Sequence, residues 1–274
     1  MASVNTNVGA MIALQNLNAI SADLRTTQNR ISTGLKVSSA KDDGAAWAIA
    51  QSQRATVRSL DSVKASLSRG SSVVDIAMAA GSSVSDLLSE LKEKALAASD
   101  TSLDTTARSA LRSDFTSIRD QITKTLSNAS FNGVNLLNGS RASISALANA
   151  EGTSRMTVAA ENMSLGGSIV TLGAMADFAT ATSAANLLTT LDSSINNVSA
   201  ALAKLGTSSK ALDGHLTFIG KLQDSLEEGI GKLVDADMAR ESTKLQALQI
   251  RQQLAIQALS IANQAPSYIL SLFR

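Results

Sequence analysis

Residues 60–98 read LDSVKASLSRGSSVVDIAMAAGSSVSDLLSELKEKALAA. Apolar or small side chains fall at Leu60, Val63, Leu67, Gly70, Val74, Ala77, Gly81, Val84, Leu88, Leu91, Ala95 and Ala98. The steps alternate three and four, which keeps one side of a helix facing a partner helix along its whole length. Gly70 and Gly81 lie on this seam, and each lowers helix propensity by about 1 kcal/mol relative to Ala. They are either points where a neighbouring helix comes close or plain weak points, and sequence alone leaves both readings open.

Working outward, a polar link at Ser99–Thr106 leads into a second helix for which Asp104 is a plausible N-cap. Its seam is Leu111, Phe115, Ile118, Ile122 and Leu126. Then comes Phe131-Asn-Gly-Val-Asn-Leu-Leu-Asn-Gly139, in which two Asn-Gly pairs favour positive-φ turns and predict a small hairpin. Residues 140–180 contain no Lys and little other charge, and are rich in Ser, Thr and Gly. Arg155–Ala160 and Ser168–Leu172 are candidate short strands there. A third helix repeats the alternation at Leu188, Leu191, Ile195, Val198, Leu202, Leu205, Ser209, Leu212, Leu216, Ile219, Gln223, Leu226, Ile230 and Leu233. At 1.5 Å per residue it spans on the order of 65 Å, a length that suits a bundle of antiparallel helices better than a compact single-core domain.

Composition agrees. Aromatic residues make up 3% of the 274 and there is one Pro, which argues against aromatic-anchored or turn-rich β architecture. The formal charge is +1, so no bulk attraction to nucleic acid or to an anionic membrane follows. The chain has no Cys and a single His, His215. Disulfides, thiol nucleophiles, Cys-based zinc sites and two-His metal sites are thereby excluded, and no phosphate-binding or hydrolase motif is present. The expectation is no catalytic, cofactor or metal site. The N-terminus lacks a basic, apolar secretory signal, and no run reaches the roughly 18–20 apolar residues of a spanning helix, so no membrane insertion is expected.

The two ends match each other. Neither the first 22 residues nor Gln252–Phe273 contains a charged side chain. Met11, Leu14, Leu17, Ile20, Leu24 and Ile31 form a helical stripe near the N-terminus. Near the C-terminus, Leu245, Leu248 and Leu259 share one side of a helix, Ile250, Leu254 and Ile261 another, and Leu270 and Phe273 continue the apolar run. A helix apolar on two sides must bury both, and a free monomer offers only one partner arm. The pattern therefore predicts arms that pair and then pack laterally in a polymer, against the alternative of two frayed termini. Asn and Gln can satisfy one another in such contacts without burying net charge.

These residues resemble bacterial flagellins. The likeness is carried by Asn5-Thr-Asn7 with Leu14-Gln-Asn-Leu17, Arg30-Ile-Ser-Thr-Gly-Leu-Lys36, Ser39-Ala-Lys-Asp-Asp-Gly44 and Ala48-Ile-Ala50. It continues in Phe131–Gly139, Leu233-Val-Asp-Ala-Asp-Met-Ala-Arg-Glu-Ser242, Ala258–Gln264 and the closing Ser271-Leu-Phe-Arg274. Trp47, the ending and Lys92–Asp100 look most like the short alphaproteobacterial, Caulobacter-type members. The resemblance implies a mainly α fold, a long antiparallel helical coiled-coil bundle with a small β element in the middle. Its implied parts are D0-like assembly arms at 1–40 and 233–274, D1-like rod helices at 45–130 and 182–232, and a short β/loop insertion at 131–181.

By the same resemblance the chain is a filament subunit, secreted to the extracellular flagellum. It would be exported unfolded through the flagellar type III apparatus, with a chaperone holding the C-terminal arm, Leu245–Leu272. Cap and hook-junction proteins would be further partners, and Ser or Thr in about 140–190 are candidate O-glycan acceptors. Flagellins recognised by the vertebrate innate receptor carry Arg and Leu where this chain has Glu90 and Lys94, while the acidic position is kept as Asp114. Weakened receptor recognition is the expectation, and the bland reading is a surface pair between Glu90 and Lys94. Two rivals remain at this point: a hook–filament junction protein with flagellin-like termini, and a soluble helical signalling or adaptor coiled coil.

Overall fold

The computed structural model describes the backbone of residues 6–271 and the side chains of residues 6–264. Within these residues the elements are α1 (Val8–Thr33), α2 (Gly44–Ala98), α3 (Thr105–Asn128), β1 (Ser143–Leu147), β2 (Arg155–Ala159), α4 (Ala181–Val234) and α5 (Met238–Ser271). Two compact units result, one from Thr56–Asp224 and one from Met1–Ala55 with Ser225–Arg274.

Each helix starts where a short polar side chain can occupy its free amides. Asp104 accepts from the Ala107 amide at 2.7 Å and opens α3. Asn7, Asp43 and Asp237 do the same for α1, α2 and α5. Thr180 and Ser183 cap α4 reciprocally: the Ser183 amide donates to the Thr180 hydroxyl, and the Thr180 amide to the Ser183 hydroxyl. Gly34 ends α1 at φ 71°, a left-handed conformation that favours Gly, with its amide on the Arg30 carbonyl.

In the Thr56–Asp224 unit, α2 and α4 run antiparallel. Gln223 donates to the Val57 carbonyl and to Asp61, Ser71 pairs with Asp213, Ser209 with Asp75, and Lys92 with Asp192. Residue numbers rise on one helix as they fall on the other. All twelve seam positions from Leu60 to Ala98 are buried. On α3, Phe115, Ile118, Ile122 and Leu126 are buried, and Phe115 meets Phe178 edge-on with ring centroids 5.2 Å apart.

The seam of α4 differs in both halves: Leu188, Leu216, Leu226 and Leu233 are half-buried, with Val234 buried in place of Leu233. Ser194 and Ala201 are buried, whereas Ile195 and Leu202, the expected seam residues, are half-buried. The small side chains make room for material lying against the helix: the Ser194 hydroxyl takes the Thr171 amide at 3.1 Å. Gly81 is a close-approach position, because a Cβ built on it would lie 2.7 Å from Leu202 Cδ2, while one built on Gly70 meets Ala146 Cβ at an ordinary 3.5 Å. The two glycines thus have different roles.

The insertion corrects two expectations. Phe131–Gly139 holds a tight turn, with Asn132 and Gly133 at φ 49° and 75° and one bridge between Phe131 and Val134, but no hairpin of strands. The hairpin lies further on, where β1 pairs antiparallel with β2 and Ser143 faces Ala159. Ser168–Leu172 is not a strand. Its backbone bonds to α4 side chains instead: Asn197 donates to the Ile169 carbonyl, and Ser194 accepts from Thr171. Asn135 is buried and ties the turn to α3, donating to the Leu126 carbonyl at 2.7 Å and accepting the Leu137 and Asn138 amides.

Candidate functional site

The unit made from the two ends is built on α1 lying antiparallel to α5. Asn7 Nδ2 donates to the Ala262 carbonyl at 2.7 Å, and Gln252 approaches Ser21 at 3.5 Å. Arg30 Nη1 meets Glu241 Oε1 at 3.2 Å. A backbone clamp closes this end of the pair: the Lys36 and Val37 amides share the Val234 carbonyl, and the Ala236 amide donates to Gly34. Leu35 and Asp235 form an antiparallel bridge beside them.

The motif after α1 shapes the turn that follows. Asp42 Oδ2 accepts from the amides and hydroxyls of both Ser38 and Ser39. These bonds, led by the Ser38 hydroxyl, hold the Asp42 carboxyl below its ordinary range. The conspicuous Ser39–Gly44 stretch is thus spent on a turn and on the N-cap of α2 rather than on a ligand.

On α5 the inward positions are Glu241, Leu245, Leu248, Gln252, Ala255, Leu259 and Ala262, alternating four and three. On α1 they are Ala10, Ala13, Leu17, Ile20, Leu24, Thr27 and Ile31, all buried or half-buried. Of the N-terminal stripe, Leu17, Ile20, Leu24 and Ile31 sit in this seam. Met11 and Leu14 do not: Ala10 and Ala13 take their places, and Met11 and Leu14 point outward with Val8 and Ile12, at exposures between 49% and 62%. On α5, Leu245, Leu248 and Leu259 turn toward α1, while Ile250, Leu254, Ile256 and Ile261 are 53% to 70% exposed. The side chains of Leu270 and Phe273 lie outside the described residues.

Between the helices runs a groove of about 630 Å³, walled by Ala13, Asn16 and Ala19 on α1 and by Leu254, Ala255 and Ala258 on α5. Asp23 and Arg251 belong to the same groove. In the seam itself, the Thr27 hydroxyl and Glu241 Oε2 are buried without a hydrogen-bond partner among the described residues. A buried polar atom in that state carries a desolvation cost. Sequence reading missed Val8, Ile12 and Ile256 as outward apolar residues, although their spacing from the seam was available.

The remaining singled-out residues lie in the other unit. Lys94 Nζ sits 3.7 Å from Asp114 Oδ2, joining α2 to α3 where the bland alternative had a Glu90–Lys94 surface pair, and Glu90 stays exposed. His215 Nε2 donates to the Ala148 carbonyl at 2.8 Å beside the Phe218 ring, a strut to the hairpin turn. Among the described residues no three His, Asp or Glu side chains converge on a possible metal position, and no helix is long and apolar enough to cross a membrane.

Comparison with known proteins decides the family. Residues 4–142 match the bacterial flagellin N-terminal helical region, and residues 188–273 match the bacterial flagellin C-terminal helical region. The chain belongs to the bacterial flagellins. It is 57% identical over 272 residues to flagellin FljM of Caulobacter vibrioides, covering 99% of this chain and 98% of that one. Against a Brucella melitensis flagellin the identity is 37% over 283 residues, with both chains fully covered.

Solved structures support the fold. A Bacillus cereus flagellin superposes with a TM-score of 0.50 at 23% identity, covering 55% of this chain and 86% of that one. A putative flagellar hook-associated protein from Vibrio parahaemolyticus gives 0.59 at 14% identity, covering 71% and 100%. This flagellin is a structural subunit of the extracellular flagellar filament and polymerises with other flagellin subunits. The junction-protein and adaptor readings are not favoured.

Proposed function

We propose that the α1–α5 pair is the polymerisation surface of this flagellin, and that subunits add through its outward faces. One observation carries the reading: large apolar side chains stand outward on both helices after the pair has closed, namely Val8, Met11, Ile12 and Leu14 on α1 and Ile250, Leu254, Ile256 and Ile261 on α5. Each is at least half-accessible or close to it, so covering it is worth about 1 kcal/mol, and the set outweighs any single surface ion pair. Leu254 also lines the groove between the helices, which suits insertion of a neighbour's side chain.

The same exposed arm supports the rest of the cycle. An α5 with this much outward Leu and Ile needs cover before assembly, which fits a flagellar export chaperone on Leu245–Leu272. Passage unfolded through the type III export apparatus, then addition beneath a cap and above hook-junction proteins, completes the reading.

The test is seeded elongation. Ile250→Asp with Leu254→Asp leaves the helical content of the monomer unchanged and abolishes growth on sheared filament seeds. Growth at the wild-type rate would sink the proposal.

A further inference from the structure

Two Asn-Gly pairs, Asn132-Gly133 and Asn138-Gly139, lie in the segment after α3. In such a pair the backbone nitrogen that follows the asparagine carries no side chain to screen it from the carboxamide, so ring closure between the two is sterically open. Both asparagines are exposed. The fold nevertheless treats them differently. Asn138 is pinned: its Oδ1 accepts the Ser140 amide at 2.9 Å, and its own amide donates to Asn135 Oδ1. The Asn162 carboxamide covers Gly139, since a Cβ built there would lie 2.7 Å from Asn162 Nδ2. The Glu161 and Met163 amides, on the Leu136 and Leu137 carbonyls, tie down the backbone just before it.

Asn132 has no such restraint. Its side chain and the Gly133 amide make no hydrogen bond among the described residues. Its φ of 49° is left-handed, a conformation that costs a non-glycine residue unless a local side-chain bond offsets it. Two backbone bonds of 2.9 Å between Phe131 and Val134 close the turn around it. Asn132 also lines a pocket of about 350 Å³ beside the hairpin, together with Arg69 of α2 and Arg141. Neither guanidinium has an ion pair or side-chain hydrogen bond among the described residues, and no acidic side chain lines the pocket.

We propose that Asn132 is a self-modifying site, converted to a carboxylate by ring closure with Gly133, and that Arg69 and Arg141 promote the reaction and hold its product. The Gly133 nitrogen gives its proton to hydroxide and attacks Asn132 Cγ. The bond from Cγ to Nδ2 breaks, and Nδ2 leaves as ammonia with a proton taken from water. Water then opens the succinimide at either carbonyl, giving aspartate or isoaspartate and releasing one proton. Amide nitrogen is exchanged for water oxygen, with no oxidant or reductant. Negative charge appears first on the attacking nitrogen and the carbonyl oxygen and finally on the product, and both are favoured beside two unpaired cations. The pocket thereby acquires the acidic group that it lacks.

The second Asn-Gly pair is an internal control. Full-length protein is incubated at mildly alkaline pH, folded or in urea, and peptide mapping by mass spectrometry follows conversion of each carboxamide to a carboxylate. Far-UV circular dichroism monitors folding. In the folded chain Asn132 converts about fivefold or more faster than Asn138, which must first give up a hydrogen bond. In urea the two rates converge. Arg69→Gln with Arg141→Gln slows Asn132 about threefold in the folded chain and leaves Asn138 unchanged. Equal rates at the two sites in the folded chain would overturn the proposal. So would an unchanged ratio in urea, or a rate at Asn132 indifferent to loss of both guanidiniums.

Discussion

Replacing Gly70 and Gly81 by Ala, one at a time, separates two roles that look identical in the heptad pattern. Both sit on the buried seam of α2. In each case Ala removes a helix-propensity deficit of about 1 kcal/mol. At Gly70 the new methyl finds Ala146 Cβ at 3.5 Å and Leu212 Cδ1 at 3.8 Å, ordinary van der Waals distances. Nothing needs to move, so Gly70→Ala is expected to stabilise by about 1 kcal/mol. At Gly81 the methyl falls 2.7 Å from Leu202 Cδ2, with Met163 Cε at 3.4 Å. The atom met is the far end of the half-buried Leu202 side chain, which must turn aside at a cost of about 1 kcal/mol, enough to offset the propensity gain. The expected difference between the two variants is therefore about 1 kcal/mol, with Gly70→Ala the more stable. For a unit of this size that corresponds to a separation of about 2–4 °C in the thermal midpoint for each kcal/mol. The assay is thermal and urea unfolding of the full-length monomer, followed by far-UV circular dichroism. Equal stabilisation by both substitutions would refute the close-approach reading of Gly81.

Asn135→Ala strands the buried Leu137 amide and the Asn138 amide and removes the bond to the Leu126 carbonyl. A loss of about 3 kcal/mol in urea unfolding is expected, and a loss no larger than that of Asn138→Ala, an exposed side chain that accepts the Ser140 amide, would contradict it. Asp177 is held below the ordinary carboxylate range, first by its hydrogen bond with Arg112 and despite partial burial. A depressed folded-state value means that its contribution is present above the unfolded value of 3.8 and is lost as pH falls through the lower folded value. Amide protection across residues 173–178, taken relative to the intrinsic exchange rate at each pH, should therefore fall in acid below that value in wild type, while Arg112→Gln has already lost it at neutral pH. Identical pH profiles for the two proteins would argue against this ion pair as the loop's anchor.

The regular parts of the rod were legible because a single rule governs them. Every seam position named on α2 from Leu60 to Ala98 is buried, since a helix packed along its whole length admits no other face. The rule loosened where a second layer lies on the helix. Next to residues 168–172, α4 buries Ser194 and Ala201 and leaves Ile195 and Leu202 half-covered, because backbone close to the helix needs a small side chain and a hydroxyl rather than a branched one. The insertion was legible in its turn chemistry but not in its strands. Ser143–Leu147 alternates Ser with apolar residues too weakly to stand out, and Ser168–Leu172 carries strand-forming residues whose backbone groups are taken by α4 side chains.

The terminal arms bear on how such surfaces are read. Met11 and Leu14 belong to the stripe of large apolar residues at helical spacing that continues through Leu17, Ile20, Leu24 and Ile31. The structure instead uses Ala10 and Ala13 there and turns Met11 and Leu14 outward. In a globular helix the largest side chains face the core, since no other apolar contact is on offer. An assembly arm has two apolar contacts to make, one with its own partner helix and one with neighbouring subunits. Small residues on the inner face let α1 and α5 approach closely, which frees the larger ones for the outer contact. On α5 both faces carry large residues, Leu245, Leu248 and Leu259 inward and Ile250, Leu254 and Ile261 outward, and there the division was readable from spacing alone. The better signal for an assembly face is therefore not a stripe of Leu and Ile by itself. It is a stripe of large apolar residues beside a separate seam, small or large, that already satisfies the partner helix.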